Sequence, residues 1–465
     1  MAIRVLALAA FLLCGVAHAQ LKATVDPRVE FMSAVARTAE FEEYCKPNAA
    51  SPYSAKVDAL MAPFKEHAAI RRMRDVRKSH GLSYDAVMSL ALHVGNPPEL
   101  VERMSLDSSP PRLDARLPPV PTRALLHDLR DLAASVNWMA FAASQKQLYD
   151  TAADRLATAA NKAPAVEWFD KTIGARPGAT YTLIAGLLNG GHNYGVGVQF
   201  LDGSPEEIRP VIGCWKWDDQ GLPTFSDSIA PLVAHELCHS YTNALVDRHA
   251  ETLRRAGDQL FAATEKQMKR MAYGNARTVL YETLVRAMVV RYMRDTFGAE
   301  AGAKQAAEES KAGFTWVPAL AEAFDRYDAD RATYPTLDAF VPEIAAVLNA
   351  QAAAMKAGPP APTLVRSTPA DGDLQVGAGS STLRLEFDRP MRKDSYSLTG
   401  SLHDLPTDMV LERTENDDRV FVWRMKTEPG RAYTIGLNGG NYRGFKSREG
   451  VPLPYTMIRF TTFAR

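Results

Sequence analysis

The run Ala357-Gly358-Pro359-Pro360-Ala361-Pro362 separates two different textures. Proline has no N–H to donate and the small residues have little to bury, so residues 357–362 read as a linker. Upstream, apolar residues recur mostly at helical spacing. Downstream they alternate: Leu383, Leu385 and Phe387, then Val420 and Val422, then Tyr433, Ile435 and Leu437. Alternation turns one face of each run inward, and turn residues separate the runs, which predicts a β-sandwich over residues 363–465.

The region upstream, residues 20–356, is not uniform. Residues 26–92 read as mostly helical, with Pro27 near a start and Phe31, Met32, Val35 and Phe41 among charged neighbours. Pro110, Pro111, Pro118, Pro119 and Pro121 read as an extended connection. Leu125, Leu129, Leu132, Val136 and Met139 mark a second helical stretch over residues 123–160. Near Pro177-Gly178 the character changes. Residues 180–188, 194–201 and 208–215 are rich in β-branched and aromatic side chains, and Gly190-Gly191 and Asp202-Gly203 stand between them. They predict a small, mostly antiparallel sheet. Helices resume near residue 228 and run with breaks to about 355. The expected class is α+β: a mainly helical region with a small sheet, followed by an all-β sandwich.

With 46% apolar and 23% charged residues, the chain has the composition of a globular protein. Its 54 basic residues balance 54 acidic ones, so no global field points to nucleic acid or an anionic membrane. Residues 1–19 have the pattern of a signal peptide: Arg4, an apolar run from Val5 to Val16, then Ala17-His18-Ala19. That run is shorter than the ~20 residues a spanning helix needs, and Leu13 is too large for a lipobox before Cys14. Cleavage before Gln20, export to the periplasm or beyond, and no membrane span in the mature chain are expected. The mature chain keeps Cys45, Cys214 and Cys238, an odd number that allows at most one internal bridge. Whether Cys45 and Cys214 meet is not decided at this level.

The chemistry is concentrated in Val233-Ala234-His235-Glu236-Leu237-Cys238-His239. Ser226, Asp227 and Ser228 offer capping groups upstream, and Pro231 suits a first turn. Side chains four apart share a helix face, so His235 and His239 can reach one Zn²⁺ at about 2.0–2.1 Å. Glu236 lies beside that face, where a carboxylate can take a proton from water. Cys238 points away from it and reads as a core thiol. A third ligand is needed. The metzincin pattern is excluded, because Thr242 and Leu245 stand where it requires Gly and His. Asp247, His249, Glu251 and Glu265 lie among solvent-type charges. Glu282 instead shares a helical face with Val285, Val289 and Met293, opposite Arg277, Thr283, Arg291 and Arg294, and Arg286 follows one turn later. A carboxylate on an apolar face needs a positive partner: zinc with Arg286 in support, or Arg286 alone as an ion pair without metal.

His235, Glu236, His239 and a downstream helical Glu282 resemble the gluzincin arrangement of thermolysin-like zinc peptidases. Glu282 follows His239 by 43 positions, further than in thermolysin, so an inserted helix is expected over residues 249–273. VDPRVE at 25–30, YGVGVQF at 194–200, HELCHSYTN at 235–243 and YETLVRA at 281–287 resemble an uncharacterised bacterial family of exported peptidases. These resemblances imply an exported zinc peptidase acting on a peptide or protein substrate, with His235, His239 and Glu282 as ligands and Glu236 as base. They further imply that residues 194–200 bind the substrate backbone as an edge strand, with Tyr194 or His192 stabilising the oxyanion. Asn243, one turn after His239, is a candidate to support that ligand. Ser367-x-Pro369, Phe387 with Pro390-Met391, Pro429 with Tyr433, and Phe460-Thr461-Thr462 resemble bacterial Ig-like domains, a spacer or a module that binds a surface partner. The rival reading is a non-catalytic exported binding protein with a structural metal or ion-pair site.

Overall fold

The computed structural model describes residues 20–463 other than 47–49, 108–112, 190, 201, 358–359, 402–403 and 440. The expected signal peptide, together with Pro110, Pro111, Gly190, Leu201, Gly358 and Pro359, lies outside the described residues. The chain forms two units, residues 1–349 and 350–465.

The first unit opens with strand β1 (Lys22–Thr24) and helices α1 (Pro27–Thr38), α2 (Pro52–Met61), α3 (Ala68–His80) and α4 (Asp85–His93). Asp26 caps α1 by accepting from the Arg28 N–H, and Pro27 occupies the first turn, where no N–H is required. Next come α5 (Pro119–Val136), α6 (Trp138–Ser144), α7 (Lys146–Ala160) and α8 (Ala165–Thr172). α5 starts four residues before the expected Arg123, because Pro119 and Pro121 fit its first turns. Asn137, at φ 52°, then breaks the expected stretch into shorter helices.

Strands β2 (Thr180–Gly186), β3 (Gly197–Val198), β4 (Glu207–Ile208) and β5 (Val211–Gly213) complete the small sheet with β1. Here the antiparallel expectation fails. β2 pairs in parallel with β1, β4 and β5, and β3 with β4 is the antiparallel pair. The eight helices carry the chain from β1 back to the start of β2, and the β3 excursion returns it for β4, so three pairings run the same way. Leu183, Ile184 and Ala185 are all fully buried, the continuous apolar run of a parallel strand covered on both faces. β3 stands at one end of the strand order and β1 at the other.

Helices α9 (Ala230–Arg248), α10 (Ala250–Arg270), α11 (Ala276–Phe297), α12 (Ala299–Lys311), α13 (Val317–Ala329) and α14 (Leu337–Ala357) follow. α10 lies in the interval where an inserted helix was expected. α11 packs against α9, α10, α12 and α13 and is covered nearly all round. Thr283 and Arg291, which the helical wheel sets opposite the apolar face of Glu282, are therefore buried as well. Thr283 accepts a hydrogen bond from Trp316, and Arg291 pairs with Asp328 while lying over Trp168 and Phe324. Cys45, Cys214 and Cys238 are all free thiols.

The second unit is a sandwich of two four-stranded sheets, ordered β10-β11-β8-β6 and β7-β13-β12-β9. The strands are β6 (Leu364–Thr368), β7 (Asp373–Val376), β8 (Gly379–Phe387), β9 (Leu398–Thr399), β10 (Thr407–Glu415), β11 (Val420–Thr427), β12 (Ala432–Leu437) and β13 (Thr456–Thr462). Leu383, Leu385, Phe387, Tyr433, Ile435 and Leu437 enter the core as their alternation predicts. On β11 the core face belongs to Phe421, Trp423 and Met425 rather than to Val420 and Val422, which are buried on the other face of this central strand.

Candidate metal centre

α9 begins after a 3-10 turn at Asp227–Ile229, with Pro231 in its first turn. The expected caps do not close it: the Ser226 and Ser228 hydroxyls bond each other at 2.6 Å. The imidazoles of His235 and His239, one turn apart, stand 5.0 Å between centroids at 77°. Glu282 reaches them from α11. Its Oε2 lies 3.5 Å from His235 Nε2, and its Oε1 lies 3.6 Å from His239 Nε2. One ligand atom from each residue falls within 4.8 Å of the others, so the three form a group able to hold a metal ion.

The surroundings prepare each ligand. His239 Nδ1 donates to Asn243 Oδ1 at 3.1 Å, which leaves the Nε2 lone pair facing Glu282. Burial drives the His235 pKa down to about 3, with the Glu282 charge opposing, so that ring is neutral and free to ligate at pH 7. Burial works against the Glu282 carboxylate, but the facing imidazoles of His235 and His239, the Arg286 guanidinium and the Tyr273 hydroxyl together hold its pKa below the usual range. Arg286 Nη2 donates to Glu282 Oε2 at 3.0 Å and to the Tyr273 hydroxyl at 2.9 Å. Its Nη1 meets Glu309 Oε2 at 2.5 Å, and Gln305 holds the other Glu309 oxygen at 2.7 Å. The Arg286 guanidinium also lies 4.4 Å from the centroid of the Phe314 ring. The Tyr273 phenol, held by Arg286, also lowers the Glu282 pKa, so the segment after α10 reaches the surroundings of the third ligand residue. Tyr273 and Glu309 escape sequence reasoning, because no spacing connects either of them to Glu282.

Glu236 is 7% exposed, and burial pushes its carboxyl well above the usual range, with the Glu282 charge adding to the rise. Arg286 and the nearby Gly195 N–H oppose that rise. Gly195 is one residue beyond Tyr194, whose N–H and C=O both bond Val211. A Cβ at Gly195 would lie 2.6 Å from Glu236 O and 3.0 Å from His239 Cβ. Glycine lets the chain entering the edge strand β3 run against the HExxH helix. Sequence reasoning missed Gly195, and a glycine inside a strand pattern is the signal that could have found such an approach.

Tyr194 and His192 lie elsewhere in the neighbourhood. Their rings stack at 6.3 Å, His192 meets the edge of Tyr84 at 5.5 Å, and the Tyr194 phenol is buried beside Tyr44. Among the described contacts none joins either residue to the triad. Cys238 is fully buried, with Sγ 4.0 Å from Thr242 Oγ1. The other acids considered are engaged away from the site: Asp247 with Arg277, Glu251 with Arg254, and Glu265 with Lys269, while His249 bonds Asp338.

No curated protein matches the chain. Two solved structures give weak similarity: surface layer protein SbsC, domains 1-6, and the S-layer protein rSbsC(31-844). The first is 14% identical over 50% of this chain and 33% of that one, with a TM-score of 0.18. The second is 18% identical over 49% and 33%, with a TM-score of 0.17. The chain thus spans about a third of the length of these S-layer chains, and likeness this weak assigns neither fold nor function. A family model described as a domain of unknown function matches residues 21–347, which include the whole triad. The chain therefore belongs to the DUF4932 family.

Proposed function

We propose that this protein is an exported zinc-dependent peptidase of gluzincin type, hydrolysing peptide bonds by attack of water. The observation that carries the reading is the convergence of His235, His239 and Glu282 on one point, with Glu236 next to His235 on the same helix. Two imidazoles and one carboxylate are the donor set of a catalytic zinc site that keeps a position open. When bound, zinc would supply Lewis acidity to the scissile carbonyl and to water. With a cation bound, the buried Glu236 carboxyl would return to its ionised form. Glu236 then takes the water proton on a carboxylate oxygen and passes it to the leaving amine, with the nearby Gly195 N–H favouring the carboxylate. β3, at one end of the strand order, is the strand to which an extended peptide would add. Arg286, Tyr273 and Asn243 hold the ligands in register.

A second reading has an observation of its own: Glu282 is already paired with Arg286, and that ion pair could be structural without metal. Elemental analysis of the purified protein separates the two. Stoichiometric zinc supports the peptidase, and no zinc after zinc is offered supports the ion pair. The chemistry is tested by Glu236→Gln. Zinc content and melting should stay near parental, while cleavage of a peptide library, read by mass spectrometry, should fall about 10²–10⁴-fold. Equal cutting by parent and variant would refute the role of Glu236.

A further inference from the structure

We propose that one end of the β-sandwich binds acidic polysaccharide, through three tyrosine rings set among unpaired basic side chains. The site is built by two segments that zip together. Met391 bridges Ser447, the Arg392 N–H donates to Lys446 O at 3.0 Å, and Ser395 Oγ donates to Gly444 O at 2.6 Å. The Gly444 N–H returns to Ser397 Oγ at 2.9 Å. Asn438, buried and at φ 61°, locks the arrangement. Its Nδ2 donates to Phe445 O and Leu453 O, and its Oδ1 accepts from the Phe445 N–H. Loops held this way lose little freedom when a ligand settles on them.

Tyr396, Tyr442 and Tyr455 are 42%, 67% and 58% exposed on these loops. Tyr396 is braced edge-on against Trp423 at 4.6 Å, and Tyr455 lies over Gly436 and Gly439, where a Cβ at either would come within 3.1 Å of the ring. The register puts them at one end of the sheet: Leu398 and Thr456 both pair with Leu437, the last residue of β12. Residues 390–397 and 439–446 carry four basic residues against one acidic, Asp394. Lys393, Arg443 and Lys446 meet no carboxylate among the described residues. Arg448, whose N–H bonds Pro390 O beside these loops, pairs with Asp417. Elsewhere on the sandwich Arg384, Arg389 and Arg459 each pair with a carboxylate, while Arg366, Arg419 and Lys426 meet none among the described residues.

The chemistry favours a sugar polymer. A phenol ring gives the C–H face of a pyranose a flat apolar surface and offers its hydroxyl group a hydrogen-bonding partner. Lys and Arg between the rings meet carboxylate or sulfate groups spaced along the chain. A membrane-inserting tip would present aliphatic side chains, whereas Asn441 and phenol hydroxyls stand here. A nucleic acid would draw on a wider positive field than 54 basic and 54 acidic residues provide. This inference does not rest on the metal centre.

The test uses the full chain in affinity electrophoresis through gels holding polygalacturonate, alginate or hyaluronate, with neutral dextran as control. Oligothymidylate and anionic phosphatidylglycerol vesicles are run as competitors. Retardation by at least one acidic polysaccharide and not by dextran is expected. The pair Tyr442→Ala/Tyr455→Ala should weaken it about tenfold at fixed salt. The pair Lys393→Ala/Arg443→Ala should flatten its salt dependence. Both pairs change exposed side chains, and unchanged melting verifies folding. Absence of retardation in every acidic gel, retardation unchanged in both double variants, or preferential binding to oligothymidylate or vesicles would each overturn the proposal.

Discussion

Glu30 lies in the first turns of α1, fully buried, and its Oε1 accepts the Leu187 N–H at 2.8 Å. One turn on, Ser33 Oγ donates to Asn189 Oδ1 at 3.1 Å, so α1 grips the segment that leads from β2 towards Tyr194 and Gly195. Burial raises the Glu30 pKa from 4.5 to about 8, against the lowering effects of the Leu187 N–H and the Tyr53 phenol. The folded state therefore keeps this proton where the unfolded chain has lost it. Below about pH 4.5 both states hold it and the group has no effect. From there to about pH 8 stability falls as pH rises, and above that the loss is constant. At ~1.4 kcal/mol per pH unit the loss has an upper bound of roughly 5 kcal/mol. Glu30→Gln keeps the acceptor for Leu187 and can donate towards Tyr53, so near pH 5 it should lie within about 1 kcal/mol of the parent. Near pH 9 the variant should be the more stable by several kcal/mol. Urea unfolding at pH 5, 7 and 9 followed by tryptophan fluorescence measures this, since five of the six tryptophans lie in residues 1–349. A difference between parent and variant that does not change with pH would refute a buried neutral Glu30.

Glu282→Ala should abolish stoichiometric zinc and cost roughly 1–3 kcal/mol, because Arg286 keeps Glu309 as a partner. Glu251→Ala and Glu265→Ala, both on the exposed side of α10, should change neither zinc content nor melting. Tyr273→Phe should fold normally and bind zinc about tenfold more weakly in competition with a chromogenic chelator, because it removes the hydroxyl that braces Arg286 beside the third ligand. Unchanged affinity would show that this brace does not set ligand strength. Gly195→Ala should push the edge strand off α9, since its Cβ would meet Glu236 O at 2.6 Å. A destabilisation of about 1–3 kcal/mol and lost cleavage with retained zinc are expected, measured by melting, peptide digestion and elemental analysis.

What the sequence could settle alone was local. His235 and His239 face one way because residues four apart on a helix must, and Leu383, Leu385 and Phe387 face one way because strand side chains alternate. Glu282 was legible for a related reason: a carboxylate among Val285, Val289 and Met293 has to meet something positive. What lies opposite a face is a different matter, decided by chain segments that no period connects. The parallel pairing of β1 with β2 joins Lys22 to Thr182. The burial of Thr283 and Arg291 depends on four helices surrounding α11. Tyr273 and Glu309 reach the centre from a loop and from α12, and Gly195 reaches Glu236 from the sheet, each at a distance along the chain where periodicity carries no information. Local geometry orients the ligands, and long-range packing supplies the groups that hold them, since burial and its compensating partners exist only once distant segments meet.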